Sequence, residues 1–541
     1  MSPSINKTIP WIAAGLAMAS ALLFAIYTDH RWEDWYITFR ASKNLAEGVG
    51  FTYNLGERIH SFTSPLGTLI PALLYYITWN DEAVIWLFRV VNILLLGTAA
   101  KLVFSMFFDK LKAPLWLAFL ITLLLVFDGK SMDFSINGME TAFMLLGIVL
   151  FIRELFRDSM PNPLRIGLIW AFLMWSRPDA FIHIGSILVG YLLFKNRSLP
   201  YIRAFFRAAV IGVICYLPWL IFAWAYYGNP IPNTVLAKGS LTFSTIIDRA
   251  LQYGQAIFTS LIDGDGPFIW IFAPAYFQTG GWPQLLMFAL KWLSYLVVFL
   301  WAIPRVSANA RFLSFAAFCI ASYLIIFSPF IYPWYIPAVT IISVIALGCV
   351  LTQLATTTRG VASKSRPWVP AGIVAVVMAV QVWVYTGGLI QMKQQQELIE
   401  YGLRKEIGLW LKSEAQSNKE TVFLEPLGYI GYYSGLTMYD YPGLGNKTMI
   451  NARKKLGSES YIELVNYIQP DWVVVRPGEL KTTKPEQTQS FESNYTLARS
   501  FDRKPTIESL SIYGRGFLRY DSQYMIYKKK QTDSKKIAYG R

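Results

Sequence analysis

IPWIAAGLAMASALLFAIYTDHRWEDWYITFR, residues 9–40, decides the class of this chain. Ile9–Tyr27 is an uncharged apolar run, long enough as a helix to cross a hydrocarbon core. It follows a short head bearing Lys7, and no small-residue cleavage site precedes the charged stretch after it. It therefore reads as an uncleaved first span. Directly beyond it the chain turns polar and aromatic at once, with Arg31, Glu33 and Asp34 set among Trp32, Trp35 and Tyr36.

The rest of the chain agrees with its first span. Of 541 residues, 54% are hydrophobic and 15% charged, and the mean hydropathy is +0.38. A soluble domain carries about 25% charged residues, so an ordinary soluble enzyme is excluded. Aromatics at 16% with so little charge exclude a disordered chain. A net charge of +15 would point to nucleic acid in a soluble protein. In a membrane protein it places basic residues in cytoplasmic loops and beside lipid headgroups, and no nucleic-acid partner is expected. Cys215, Cys319 and Cys349 all fall in apolar runs, which offers neither a disulfide framework nor a zinc site.

Further apolar runs sit near 83–108, 113–127, 141–157, 163–177, 179–195, 204–226, 284–303, 310–329, 333–354 and 368–389. With the first run they predict about eleven transmembrane helices. Lys and Arg concentrate in 109–112, 153–165, 195–207, 304–311 and 355–366, and are sparse in the longer loops between, so the positive-inside rule puts the former in the cytoplasm. Ser64–Trp79 is apolar too, but a crossing there would reverse that bias. It reads as a helix lying in or dipping into the outer leaflet. This places the first loop, 28–82, on the periplasmic or extracellular side of the cytoplasmic (inner) membrane.

After about Leu389 the composition turns polar. Thr421–Glu425 and Asp471–Arg476 alternate like short strands, and Glu397–Trp410 reads as a connecting helix. The expectation is a transmembrane module, 1–390, and an extracytoplasmic α/β domain, 391–541. The basic tail Lys528–Lys530 with Lys535, Lys536 and Arg541 reads as solvated.

The densest polar cluster is the first outer loop. Glu33 and Asp34 follow a span directly, and Arg40 lies six residues beyond Asp34. One reading is an interfacial aromatic belt with its charges in water. The other is a carboxylate at the bilayer edge that takes a proton from an attacking hydroxyl while Arg40 holds a phosphate leaving group.

The run EDWYITFRASKNLAEGVGFTYNLGERIHSFTSPL, residues 33–66, resembles the first-loop signature of GT-C glycosyltransferases. It is similar to that of the polyprenyl-phosphate-arabinose-dependent terminal arabinofuranosyltransferases and their cousins. Later stretches carry the same resemblance: Asn137-Gly138-Met139-Glu140-Thr141, Ser176-Arg177-Pro178-Asp179, and Tyr227 to Thr234 with Ala237-Lys238. So do Leu427 to Ser434 and Asp440 with Gly443-Leu444. One departure is that Glu33 stands where the family has the first Asp of its acidic pair.

The resemblance implies a GT-C fold and transfer of a sugar, arabinofuranose or a related pentose, from a polyprenyl-phosphate donor to a hydroxyl of a glycan, lipid or protein acceptor. It implies Asp34 or Glu33 as the base, with Asp34 favoured because it matches the family unchanged. Arg40, Arg177, Lys238, Asn233, Glu140, Asp179 and His60 are the expected donor and substrate contacts, His60 the weakest because the family pattern varies there. Arg177 with Asp179 fits a structural ion pair equally well. A monophosphate leaving group needs no metal, and no metal or other cofactor is expected beyond the lipid-linked donor. The competing classes are a lipid-linked sugar transporter or flippase and a non-catalytic sugar-binding membrane subunit; neither related halves nor a mid-membrane ionisable pair marks a transporter here.

Overall fold

The computed structural model describes residues 3–157, 159–237, 242–328, 330–357, 368–482 and 484–531. Loop 355–366 lies mostly outside these residues, as do Lys238, Lys535, Lys536 and Arg541.

The helices of the membrane module follow the apolar runs. They are α1 (Pro3–Thr28), α2 (Glu33–Ala46), α3 (Pro65–Thr78), α4 (Asp81–Ser105), α5 (Leu115–Val126), α6 (Gly129–Ile136), α7 (Thr141–Leu155), α8 (Pro163–Ser176), α9 (Ala180–Phe194) and α10 (Leu199–Tyr227). Then come α11 (Asn233–Ala237), α12 (Phe243–Thr259), α13 (Gln284–Phe299), α14 (Ala308–Phe327), α15 (Ile336–Thr357) and α16 (Trp368–Gln394). Polar residues between the runs set their starts. Ser64 caps α3 ahead of Pro65, Asn80 caps α4 ahead of Asp81 and Glu82, and Asn162 caps α8 ahead of Pro163.

Each of the eleven expected spans is a helix, but fewer have the length to cross. Among the described residues seven helices are long and apolar enough, or eight if α5 and α6, bent by 53° at their break, form one span. Helices α7, α8 and α9 run only 15, 14 and 15 residues. That is about 21–23 Å of helix against about 30 Å of hydrocarbon. Helix α7 is enclosed by protein along nearly its whole length, so bilayer thickness does not dictate its own. A second departure lies in 226–283, expected to be loop, where α12 packs against α14 and turns Phe243, Leu251 and Phe258 outward.

Helix α16 does not stop at the polar boundary. It runs on through a π-helical segment, Gln395–Lys405, into α17 (Glu406–Glu414), so that Val374–Glu414 is one rod of 41 residues. Around its far end the C-terminal segment forms a five-stranded sheet. In chain order come β1 (Thr421–Leu424), α18 (Gly428–Ser434), β2 (Thr437–Asp440), α19 (Lys447–Leu456), α20 (Tyr461–Ile468), β3 (Trp472–Val475), α21 (Pro485–Asn494), β4 (Tyr495–Asp502), α22 (Lys504–Glu508), α23 (Arg515–Tyr520) and β5 (Gln523–Lys529). The strand order is β2-β1-β3-β5-β4, parallel at β2-β1-β3 and antiparallel at β3-β5-β4.

Both faces of the sheet are covered, so the central strand β3 is buried throughout. Trp472 and Val474 face the rod residues Ile399, Leu403 and Ile407. Val473 and Val475 face α19, α20 and Phe491. The rod is therefore both the last membrane helix and one layer of the C-terminal core.

Candidate active site

Helix α2 carries its acids in its first turn and Lys43 in its last, which suits the helix dipole at both ends. Its apolar side buries Trp35 and Phe39 stacked at 4.9 Å, with Phe88 behind. Gly138 closes that packing. Its φ is +102, and an added Cβ would lie 2.6 Å from the Trp35 side chain. The first turn of α2 is thus held rigidly at the edge of a cavity of about 250 Å³. Asp34, Glu33 and Arg404 line the cavity, with Gln395 beside them and Trp32, Tyr276, Trp334 and Phe517 among its apolar walls.

Consecutive helix positions point about 100° apart, and the two carboxylates diverge accordingly. Glu33 accepts hydrogen bonds from the backbone N–H groups of Gly428 and Tyr429 and sits 3.3 Å from Arg404. A Cβ at Gly428 would collide with the Glu33 carbonyl, so only glycine permits this contact. Burial pushes the Glu33 carboxyl up to about 8, against the pull of Arg404 and with help from the neighbouring Glu400. Asp34, half-buried, lines the cavity.

Several residues expected to touch the donor fasten the C-terminal domain instead. Arg40 donates to the carbonyls of Gly431 at 2.6 Å and Leu436 at 3.0 Å and stacks on Tyr53, so its guanidinium is spent on backbone rather than turned to a phosphate. Asn233 donates to the Gly443 carbonyl at 2.6 Å, and its own N–H is bound by the His60 carbonyl. The His60 ring stacks on Tyr227 at 4.8 Å with its planes 7° apart and meets Phe62 and Trp219 edge-on. Burial lowers its pKa to about 4, so it is a neutral member of an aromatic box. Asn54 and Tyr53, from the same quoted run, also bond to the backbone of 427–445.

Arg177, Asp179 and Glu140 do come together. Arg177 grips Asp179 through two hydrogen bonds of 2.9 Å, reaches Glu140 at 2.5 Å, and lies over the Tyr335 ring at 4.9 Å. This is a closed ion cluster behind the segment 332–335, part of which borders the cavity. Lys238 lies outside the described residues.

Nothing in the sequence marked Arg404, Gln395, Tyr276 or Phe517. Arg404 bonds Glu400 at 2.8 Å and Asp521 at 2.7 Å, and its Nε finds no hydrogen-bond partner. Glu33, Glu400 and Asp521 thus all meet Arg404 at the cavity wall, Asp521 being shared with Arg476, and burial favours the protonated form of the Glu33 carboxyl. Behind Trp32, His30 lies edge-on at 4.6 Å and binds Asp133 at 3.1 Å, with Asn137 completing the group. Among the described residues, no group of three or more His, Cys, Asp or Glu side chains is placed to hold a metal ion.

The model of a family described as "Domain of unknown function (DUF8728)" matches residues 390–527. No curated protein matches the chain. Among solved structures, the apo oligosaccharyltransferase of Archaeoglobus fulgidus superposes with a TM-score of 0.56 at 12% identity, over 98% of this chain and 75% of that one. Apo ArnT from Cupriavidus metallidurans superposes at 0.53 and 12% identity, over 97% of this chain and 98% of that one. The same ArnT bound to undecaprenyl phosphate superposes at 0.51 and 11% identity, over 96% and 98%. The chain has the GT-C fold, as the loop motifs implied, and is a multi-pass membrane protein.

Proposed function

We propose that this protein transfers a sugar from a polyprenyl-phosphate donor to a hydroxyl acceptor at the outer face of the cytoplasmic membrane, in the synthesis of a cell-envelope glycan or glycoconjugate. The sugar is arabinofuranose or a related pentose, as the first-loop resemblance implies. The observation that carries the reading is the joint placement of Asp34 and Arg404 on one aromatic-walled cavity. That placement occurs in a fold shared with an ArnT structure that binds undecaprenyl phosphate.

In this reading Asp34 is the base. The acceptor oxygen attacks the anomeric carbon, the bond from that carbon to the phosphate oxygen breaks, and the acceptor proton passes to Asp34. Negative charge develops on the departing polyprenyl phosphate. Arg404, buried and therefore weakly screened, is the cation at hand to stabilise it. Glu33 does not react; it holds the first turn of α2 against the C-terminal domain.

The test is release of polyprenyl phosphate from a labelled polyprenyl-phospho-arabinose by the full chain in membranes. Asp34→Asn preserves shape and removes basicity, and is expected to lower turnover about 10²–10⁴-fold with donor binding retained. Glu33→Gln is expected to be milder. Near-normal turnover of Asp34→Asn, or activity only with a nucleotide sugar, would overturn the proposal.

A further inference from the structure

A hollow larger than the cavity beside Asp34, about 620 Å³, lies between the last turns of α16 and the segment 510–519 of the C-terminal domain. Three glycines let its walls close up. A Cβ at Gly280 or Gly387 would lie 2.6 or 2.7 Å from Trp282, and one at Gly516 would lie 2.5 Å from the Thr279 carbonyl. Trp282 in turn stacks on Tyr513 at 4.1 Å and meets Trp383 edge-on. The groove is a built space rather than a loose seam.

Its two ends differ in character. Val376, Val380, Trp383, Gly387 and Ile390 follow one another at helical spacing along one stripe of α16. Val376 is 65% exposed, Val380 38% and Trp383 39%, so the stripe presents an apolar, lipid-facing path. The path runs up into the groove, where Arg515 and Arg519 are the charged lining residues among the described residues. Arg519 is half exposed and paired with Glu508, which does not line the groove; Arg515 spends one nitrogen on the Glu508 and Leu510 carbonyls. An apolar track ending at Arg515, with no acid paired to it among the described residues, and at the half-exposed Arg519 of the Arg519–Glu508 pair complements an amphiphile with an anionic head.

The groove and the Asp34 cavity are neighbours. Gly516 lines one and Phe517 the other. Phe517 stacks on Tyr276 at 3.6 Å, and both rings wall the Asp34 cavity while Gly516 and Thr279, close to them in the chain, wall the groove. Tyr276 has a φ of +56, a left-handed backbone unusual for an aromatic residue.

We propose that this groove receives the acceptor of the transfer, and that the acceptor is an anionic amphiphile anchored in the same membrane. The role as acceptor rests on the transferase reading above; the amphiphile site does not. Trp383 and Tyr513 offer ring faces to a sugar or other ring in the headgroup, and the Tyr276–Phe517 pair parts to admit its hydroxyl to Asp34.

The experiment places a benzophenone amino acid at Ser511, exposed at the groove, in the full chain in vesicles. One set contains phosphatidylcholine alone, the other phosphatidylcholine with phosphatidylglycerol. Lipid adducts are expected at Ser511 and not at Ser490 on α21, with a preference for phosphatidylglycerol that Arg519→Gln reduces about fivefold. Equal adducts at both positions, indifference to lipid charge, or displacement by inorganic phosphate would overturn the site. In native membranes, Ser511→Trp is expected to lower transfer about tenfold more than it lowers donor hydrolysis; equal losses would remove the acceptor role. Adducts at Ser511 with no release of polyprenyl phosphate by the unaltered protein would defeat the transferase reading and leave the amphiphile site standing.

Discussion

Two of the buried arginines in this molecule are held in opposite ways. Arg177 is satisfied by Asp179, two residues on, and by Glu140 and the Tyr335 ring, all within the membrane module. Arg404 draws its acids from Glu33 at the start of the first loop, from its own helix at Glu400, and from Asp521 near the end of the chain. The first cluster is local and complete. The second spans the chain, borders a cavity and leaves one nitrogen without a partner. A closed ion cluster fixes a loop; an open one at a cavity wall retains the capacity to meet a substrate.

Removing each cation should separate the two roles. Arg404→Met takes the cation from Glu33 and Glu400 and leaves Asp521 to Arg476 alone, and is expected to cost about 3–5 kcal/mol of stability and to abolish turnover. Arg177→Met strands Glu140, but the Asp179 side chain is 29% exposed and can rehydrate. Its cost should be about 1–3 kcal/mol. Thermal melts of both variants in one detergent check the ranking. A larger loss at Arg177 would show that the local cluster, not the long-range one, carries the fold.

The acid behind Arg404 gives a sharper version of the same contrast. Glu33 has a folded-state pKa of about 8 against an ordinary value of 4.5. Between those values the folded protein keeps a proton that the unfolded chain has lost, so this group's stabilising contribution falls as pH rises through that window. Glu33→Gln cannot ionise and should flatten the decline of melting temperature between pH 4.5 and 8. Parallel profiles would place the proton elsewhere in the cluster. The smallest expected effect is at the domain contact: Asn233→Ala removes two hydrogen bonds to the 443–444 backbone. It should cost about 1 kcal/mol and leave turnover per folded molecule near normal.

How far the sequence could be read follows from these same residues. Apolar runs announced α1, α4 and α10 because a helix in lipid must be apolar along its whole exposed length. The segments of β1 and β3 were legible as strands, but their reading as alternating was not right: with both faces of the sheet covered, β1 is TVFL and β3 is WVVV, nearly continuous apolar runs. The short helices α7 to α9 account for the difference between eleven apolar runs and the seven or eight described helices that have the length to cross by themselves. The motifs of the first loop were visible as motifs, but their roles were not. A polar residue that binds a phosphate and one that binds a carbonyl of a distant domain look alike in one dimension, and Arg40 and Asn233 proved to be the latter. Arg404 was invisible for the converse reason. It sits in what reads as a connecting helix, and its importance comes from partners 371 and 117 positions away, Glu33 and Asp521.

The rod from Val374 to Glu414 has a mechanical consequence. A domain hung on a flexible tether can wander without disturbing the chemistry beneath it. Here the tether is a stiff shaft about 60 Å long, rooted among the membrane helices and cored into the sheet. Gln395 and Arg404 are mounted on it partway along, in the π-helical segment, where its winding is loosest. Any tilt of the C-terminal domain therefore arrives at the cavity as a displacement of its cation. A load on the domain is thus felt at the cavity as torque.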